Sequence, residues 1–277
     1  MNTYESTPVI AREETVPETR ERIVIKCGGS IVGRLTDDFY KSIREMQLAG
    51  YAPVIVHGGG PDIDVMLQRL QVPSEFVNGL RKTDARVMDV VEMTLSGIVN
   101  KKLVRKLNEC GIQAVGLSGC DGRLLEAEPI DEERLGFVGK VAKVNEPLLR
   151  ALLDQEIVPV LAPIGFHPSG ERYNINADTA AAGVAAAIGA EKLAFVTDVP
   201  GILKGSKCLA SATEREIADM IDDGTITGGM IPKVQAALDC LKQRVREVMI
   251  VSGETKVIQR GKIVGTAIYI EELEGRR

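Results

Sequence analysis

The stretch Ile23-Val-Ile-Lys26-Cys-Gly28-Gly29-Ser30 decides how the rest of this sequence is interpreted. Its three β-branched residues predict a buried strand. Lys26 lies where that strand ends, and the two glycines after it let the backbone turn sharply or approach another group closely. Ligands of open α/β sheets bind beyond the carboxyl ends of the strands, so a lysine beside exposed backbone N–H groups predicts a phosphate site. Taken alone, the stretch is more typical of an ordinary strand and turn with a surface lysine.

A second strand ends in the same way. The run Ala52-Pro-Val-Ile-Val-His57 predicts a buried strand, and Gly58-Gly59-Gly60-Pro61 follows it, with Pro61 suited to the first position of a helix. This glycine run is neither a Walker A loop, since no GKS or GKT follows, nor a G-x-G-x-x-G fingerprint. One such run predicts a tight turn, whereas two runs after consecutive strands predict an anion-binding crevice at helix N-termini.

Composition narrows the class of protein. The chain has 277 residues, 44% hydrophobic and 26% charged, and a formal net charge of −5, which is typical of a globular protein and argues against a nucleic-acid surface. No apolar run approaches the roughly 20 residues of a membrane helix, and no secretory signal is present, so we expect no membrane partner. Five scattered cysteines without C-x-x-C spacing predict reduced thiols in a cytoplasmic protein. Two histidines are too few for a His-rich metal site.

The remaining pattern predicts the fold class. Strands alternate with helices throughout, which indicates an α/β protein, a three-layer α/β/α sandwich with a mostly parallel central sheet. Thr83 is predicted to cap a long helix that continues to Gly111 with a break near Gly97, and Pro159 indicates that strand 157–162 is an edge strand or contains a bulge. Residues 123–144 are expected to form hairpins over the main sheet.

Several polar residues outside the glycine runs are candidates for a site. Arg81 ends a loop, where a guanidinium can grip a carboxylate or simply be solvated. Asn176 is predicted to cap an alanine-rich helix with Asp178 in its first turn, which leaves Asn174 unexplained by capping. Lys233 follows Pro232, the predicted first residue of a helix, where its charge opposes the helix dipole. Because this charge lowers the stability of the helix, it indicates that Lys233 has a functional role rather than a role in folding.

These pieces together resemble the amino acid kinase family, and they span about residue 22 to the C-terminus. The matching stretches, in the order of the family, are Ile25-Lys26-Cys-Gly28-Gly29, His57-Gly58-Gly59-Gly60-Pro61, Asn78-Gly79-Leu80-Arg81, Asn174-Ile-Asn176-Ala-Asp178, Thr197-Asp198-Val-Pro-Gly201-Ile202 and Gly228-Gly229-Met230-Ile-Pro-Lys233. The resemblance implies a sandwich with two lobes: residues 22–172 for the acetylated amino acid and residues 173–277 for the nucleotide. Residues 1–21 are expected to be a flexible N-terminal arm.

The resemblance also implies an activity, the transfer of a phosphoryl group from ATP to the γ-carboxylate of N-acetyl-L-glutamate, the second step of arginine synthesis. Lys26 and Lys233 would neutralise the moving phosphoryl group, and Asp178 would hold both lysines. The acceptor would be bound by Gly58, Gly59, Arg81 and Asn174. The nucleotide would be contacted by Gly28, Gly29, Asp198, Val199, Pro200, Gly201, Ile202, Leu203, Thr225, Ile226 and Thr227.

The chemistry agrees with the composition. Phosphoryl transfer needs positioning and charge neutralisation, and a carboxylate of pKa ~4 is already ionised, so no general base is required. Mg²⁺ is expected to arrive on the nucleotide phosphates, without metal ligands from the protein. Arginine-inhibited members of the family carry an N-terminal helix that links dimers into hexamers. Residues 1–21 are polar and contain two prolines, so we expect an arginine-insensitive homodimer.

Alternatives remain at this point. A kinase of the same family could act on a related acid, such as a carrier-bound aminoadipate or glutamate, and Arg81 and Asn174 would serve either acceptor. A non-catalytic amino-acid sensor could keep the pocket, although both lysines and Asp178 are present. A nicotinamide-dependent dehydrogenase is disfavoured because the sequence lacks G-x-G-x-x-G.

Overall fold

The computed structural model of the chain describes residues 20–205, 207–243 and 245–270. The predicted N-terminal arm, residues 1–21, lies outside the described residues apart from its last two, and the second of these begins the first strand.

The strands are β1 Glu21–Cys27, β2 Tyr51–His57, β3 Phe76–Val77, β4 Leu80–Arg81, β5 Ala114–Ser118, β6 Leu125–Pro129, β7 Val138–Val144, β8 Val158–Ala162, β9 Ile164–Phe166, β10 Arg172–Ile175, β11 Lys192–Thr197, β12 Leu203–Lys204, β13 Lys207–Cys208, β14 Ser211–Thr213, β15 Glu247–Ser252, β16 Ile258–Gln259, β17 Lys262–Ile263 and β18 Thr266–Tyr269. The three predicted strands occur as β1, β2 and β8.

The helices fill the intervals between the strands. They are α1 Gly29–Val32, α2 Asp37–Leu48, α3 Gly60–Arg69, α4 Ala85–Glu92, α5 Asn100–Glu109, α6 Glu132–Leu135, α7 Glu146–Asp154, α8 Ala177–Ile188, α9 Glu214–Asp222 and α10 Met230–Leu241, with a π-helical segment at Met93–Val99 and a 3₁₀ turn at Asp121–Arg123.

The predicted three-layer sandwich is confirmed. In the described residues the main sheet has eight strands in the order β14-β18-β15-β11-β1-β2-β8-β5, and only the β15–β18 pair is antiparallel. Strands β2, β8 and β5, from residues 51–162, lie on one side of β1, and strands β11, β15, β18 and β14, from residues 192–269, lie on the other side. The strand order therefore reverses between β1 and β11, the kind of point at which open α/β sheets bind ligands.

Successive side chains of β1 point to opposite faces of the main sheet. Ile23 and Ile25 are buried against α2 and α5, whereas Val24 is buried in the cluster formed with α7, α8 and α10. Lys26 lies two residues after Val24, so its side chain points towards the α8 layer. Each fully buried side chain of this kind contributes about 1.5–3 kcal/mol.

A smaller closed sheet consists of β10, β7, β6 and β9, and its strand β7 packs against α8. Its β6–β7 pair is antiparallel, which confirms a hairpin within residues 123–144. No helix in the described part of the chain is long and apolar enough to cross a membrane.

Two local predictions, the cap at Thr83 and the edge position of strand 157–162, were wrong, and the break near Gly97 was found. Asp84, not Thr83, caps α4, because its side chain accepts a hydrogen bond from Val87 N while the Thr83 hydroxyl donates to Arg81 O. Strand β8 is not an edge strand, since it lies between β2 and β5. Pro159 is tolerated there because the ladder with β2 begins only at Val160. The expected break near Gly97 is the π-helical segment.

Candidate active site

The two glycine runs lie against each other. Strands β1 and β2 are parallel neighbours with Cys27 opposite His57, so their carboxyl ends meet. A Cβ atom on Gly29 would lie 2.8 Å from Gly59 N and 2.7 Å from Gly60 N. Gly60 begins α3, and no side chain caps that helix terminus. The arrangement therefore gathers backbone N–H groups at the positive end of a helix dipole, as predicted for an anion-binding crevice.

Lys26 enters this region from β1 and forms an ion pair. Its Nζ lies 2.7 Å from Asp178 Oδ1 and 5.5 Å from the centre of the Phe195 ring. Asn176 caps α8, accepting hydrogen bonds from the backbone of Asp178 and Thr179, which confirms the predicted cap. The cap fixes the start of α8, so Asp178 lies in its first turn and reaches the end of β1.

Lys233 reaches the same region from α10. Its Nζ donates a hydrogen bond to Asp198 Oδ1 at 2.6 Å, and this bond is the largest of the effects that lower the pKa of Asp198. Asp198 directly follows β11, the strand beside β1. We expected Asp178 to hold both lysines, but in this structure each lysine is paired with its own aspartate. Helix α10 also begins earlier than predicted, at Met230, which places Pro232 in its first turn rather than at its first position.

Both lysines border one cavity of about 180 Å³. Asp178 and Asp198 line it with them, and Gly28 contributes the backbone of the first glycine run. The cavity thus joins two cations that are 207 residues apart in the chain, at the point where the strand order reverses. Six further lining residues were not among the predicted site residues, namely Ser30, Phe195, Val196, Thr197, Pro232 and Ala236. Ser30 follows the glycine pair, and Thr197 and Pro232 lie within matching stretches, whereas Phe195, Val196 and Ala236 carried no signal.

Arg81 lies beside the second glycine run. Its side chain is 6% exposed, its Nη2 lies 2.7 Å from Asp64 Oδ1, and its guanidinium stacks 4.5 Å from the centre of the Phe76 ring. A weaker contact of 3.5 Å joins Nη2 to Gly60 O. The guanidinium is therefore held next to the glycine run, and the Asp64 contact shows that a carboxylate can approach it at hydrogen-bonding distance.

Asn174 belongs to the same neighbourhood. Its Nδ2 donates to Thr83 Oγ1 at 3.3 Å, and the Thr83 hydroxyl donates to Arg81 O at 2.7 Å. The small closed sheet, which carries Asn174 on β10, is in this way connected to the strand that carries Arg81.

The stretches predicted for the nucleotide are more dispersed. Asp198 lines the lysine cavity, but residues 199–203 and 225–227 do not. Ile202 and Ile226 are buried in the apolar core, so only their backbone atoms could face a ligand. Gly201 has φ +153°, and a Cβ atom there would lie 2.5 Å from Thr266 Oγ1, so this turn requires glycine.

His57, the last residue of β2, is fully buried behind the glycine run. Its Nδ1 lies 3.0 Å from Gly58 O, and its Nε2 lies 3.2 Å from Nδ2 of the buried Asn100. Burial lowers the pKa of His57 from 6.5 to about 4, against a smaller opposing effect of the bond to Gly58. The imidazole is therefore neutral at physiological pH.

This histidine makes stability depend on pH. Because the folded-state pKa lies below the unfolded value, its contribution is complete above pH 6.5 and is lost as the pH falls towards about 4, in total roughly 3 kcal/mol. When the pH is lowered from 7 to 4.5, the free energy of unfolding should fall in both proteins. We expect the fall to be about 2 kcal/mol smaller in His57→Asn than in the wild type. Urea unfolding of both proteins at the two pH values measures this. Equal losses would contradict the prediction.

Known proteins resemble this chain in sequence and in fold. The sequence pattern described as "Amino acid kinase family" matches residues 21–252. Proteins named acetylglutamate kinase from Geobacillus kaustophilus and Geobacillus stearothermophilus are 58% and 57% identical over 249 residues, which is 90% of this chain and 96% of each relative. The crystal structure of smu.665 from Streptococcus mutans is 34% identical, covers 90% of this chain and 98% of its own, and superposes with a TM-score of 0.75. The chain belongs to the amino acid kinase family.

Proposed function

We propose that this protein transfers the γ-phosphoryl group of ATP to the γ-carboxylate of N-acetyl-L-glutamate, the second step of arginine biosynthesis. The observation that carries the proposal is that Lys26 and Lys233 line the same cavity. The names of the close relatives support this acceptor over other acids.

The reaction needs little covalent help from the protein. A γ-carboxylate oxygen attacks the γ-phosphorus, the bond from that phosphorus to the oxygen bridging it to the β-phosphate breaks, and ADP leaves with the electron pair. The carboxylate has a pKa of about 4 and is already ionised, so no proton has to be removed first. The obstacle is repulsion between two anions. Lys26 and Lys233 would offset it from two sides of the cavity, held in place by Asp178 and Asp198.

We place the acceptor in the N-terminal lobe, residues 22–172, with one contribution from β10. Arg81 would grip its α-carboxylate, Asn174 would bind it from the small closed sheet, and the backbone of Gly58 and the N–H group of Gly59 would face it. The Gly58 N–H itself donates to Cys27 O at 2.9 Å and holds the glycine run against β1. The contacts among Asn174, Thr83 and Arg81 support a common binding surface for these residues.

We place the nucleotide in the C-terminal lobe, residues 173–277. Gly28 and Gly29 would contact its phosphates, and the stretches Asp198–Leu203 and Thr225–Thr227 would contact the rest, mainly through the backbone. The described residues contain no group of three or more His, Cys, Asp or Glu side chains that could hold a metal ion, and the two aspartates of the cavity are paired with lysines. This donor set fits Mg²⁺ brought by ATP, which would screen the β- and γ-phosphate charges.

Two further expectations stay predictions. A homodimer is expected in solution, and sedimentation equilibrium across a range of concentrations measures it. A cytoplasmic location is expected as well, and fractionation of cells that express the protein tests that.

The activity itself is tested with purified protein, ATP and Mg²⁺. Hydroxylamine traps an acyl phosphate as a hydroxamate, and we expect its formation with N-acetyl-L-glutamate to exceed that with glutamate or α-aminoadipate at least 100-fold. Comparable or higher rates with another acid would assign the protein to a different acceptor. Absence of ADP release with every acid, in a protein that binds them, would favour a sensor.

We expect Arg81→Ala to raise the KM for N-acetyl-L-glutamate about 10- to 100-fold and to leave the KM for ATP within twofold, because a charged hydrogen bond is worth about 1.5–3 kcal/mol. Initial rates with each substrate varied in turn measure both constants. Arg150→Ala, which removes an arginine paired with Glu146 on α7, is the matched control. Equal increases in both constants would refute the assignment of Arg81 to the acceptor.

A further inference from the structure

A buried polar cluster lies directly behind the second glycine run. Asn100, the first residue of α5, is fully buried and contacts three strands, through His57 on β2, Leu117 O on β5 and Val160 O on β8. A buried side-chain amide is costly unless its donors and acceptor are bonded. The Asn100 amide satisfies this condition, because Lys101 Nζ also lies 3.1 Å from its Oδ1.

These partners fix which way the Asn100 amide points. Two carbonyl oxygens, Val160 O at 2.8 Å and Leu117 O at 3.4 Å, face one end of the amide, which must therefore be the NH₂ group. The ammonium of Lys101 can only donate, and it faces the other end, which must be the oxygen. The NH₂ group carries two hydrogens, and its two nearest acceptors are Val160 O at 2.8 Å and His57 Nε2 at 3.2 Å, so that ring nitrogen accepts a hydrogen bond and Leu117 O at 3.4 Å is a weaker, shared contact.

The direction of this bond decides the tautomer of His57. A neutral imidazole carries one proton, and with Nε2 accepting, the proton is on Nδ1. Nδ1 lies 3.0 Å from Gly58 O and donates to it. Burial, which lowers the pKa of His57 to about 4, keeps the ring in this neutral form.

The Gly58 carbonyl in turn orients the next N–H group. The peptide between Gly58 and Gly59 is planar and trans, so a carbonyl held by His57 directs the Gly59 N–H to the opposite side. Gly59 N lies 2.8 Å from the position that a Cβ atom would occupy if Gly29 had one. The Gly59 N–H group therefore lies where the two glycine runs contact each other.

We propose that Asn100 and His57 are positioning residues that aim the Gly59 N–H into the acceptor site, Asn100 by setting the His57 tautomer and His57 by holding the Gly58 carbonyl. The inference rests on the proposed function in one respect, that Gly59 contacts the acceptor or the group transferred to it. The tautomer and the carbonyl contact rest on the geometry alone.

Two substitutions of His57 separate positioning from packing. Asn carries its amide nitrogen close to the place of Nδ1, so His57→Asn keeps a donor for Gly58 O. Gln carries its amide near the place of Nε2, so His57→Gln keeps a partner for Asn100 and loses the donor for Gly58 O. We expect kcat/KM for N-acetyl-L-glutamate to fall at least tenfold in His57→Gln and less than threefold in His57→Asn, with the KM for ATP within twofold in both.

Thr213→Ala is the matched control for stability. It removes the capping box of α9, outside the cavity, and should lower Tm without changing the kinetic constants. Kinetic losses in the two His57 variants that are equal, or that simply follow their Tm values, would overturn the positioning role.

A spectroscopic measurement is independent of activity. The chain contains two histidines, so long-range ¹H–¹⁵N correlation of ¹⁵N-labelled protein resolves both rings. We expect His57 to show the proton on Nδ1 in the wild type and on Nε2 in Asn100→Asp, in which a carboxylate replaces the donor. A proton on Nε2 in the wild type would refute the inference. The predicted tautomer in a protein inactive on N-acetyl-L-glutamate would refute the proposed function and leave the orientation of the peptide standing.

Discussion

Lys233→Met should lower kcat about 10³-fold and leave the free energy of unfolding within about 1 kcal/mol of the wild type. The loss of rate follows from the position of the ammonium group at the cavity that Lys26 also borders, where it would neutralise charge that develops in the transition state. The stability should change little because the side chains of Lys233 and Asp198 are 30% and 49% exposed, and exposed ion pairs contribute little to folding.

Lys242→Met is the matched control for this variant. Lys242 follows α10, its side chain is 57% exposed, and it lies 3.8 Å from Asp239 and 4.0 Å from Glu214, outside the cavity. We expect its kcat to be that of the wild type. Steady-state rates and urea unfolding of the three proteins decide the matter, and a kcat for Lys233→Met within tenfold of the wild type would remove Lys233 from the catalytic machinery.

Gly29→Ala should lower kcat/KM for N-acetyl-L-glutamate about 10²-fold or more. The added methyl group would lie 2.7 Å from Gly60 N and 2.8 Å from Gly59 N, distances that real Cβ atoms do not adopt, so the two glycine runs must separate. Backbone N–H groups that are displaced by about 1 Å no longer fit a transition state, and errors of that size cost about 10²-fold in rate.

Gly33→Ala is the control for Gly29→Ala. Gly33 ends the same short helix, has φ −72°, and would place its Cβ atom in open space. Its rates should equal those of the wild type. A Gly29→Ala enzyme with normal kcat/KM would show that the contact between the glycine runs is not needed for the reaction.

The fold was predictable from the sequence because its signals are local. Each main strand was a short apolar run followed by a polar or glycine turn, and the cap at Asn176 was found by residue type alone. The predicted start of a helix was less accurate where two adjacent residues were both suitable as the cap. Thr83 and Asp84 are both good caps, and Thr83 was needed elsewhere, by the carbonyl of Arg81.

The two lysines and two aspartates of the cavity were predictable as residues but not as pairs. The glycine runs identified the end of the sheet where Lys26 lies, whereas the partner of Lys233 depends on the course of α10 past the end of β11, which no local pattern encodes. The role of Asn100 was hidden for the same reason. Within a helical pattern it is one polar residue among several, and its three partners come from different strands.

Strand β1 forms one ladder with β2, from the first half of the chain, and another with β11, from the second half. The two halves of the chain therefore contribute to one continuous hydrogen-bonded sheet. A twist of one half against the other would have to bend this shared sheet about β1, the strand that carries Lys26.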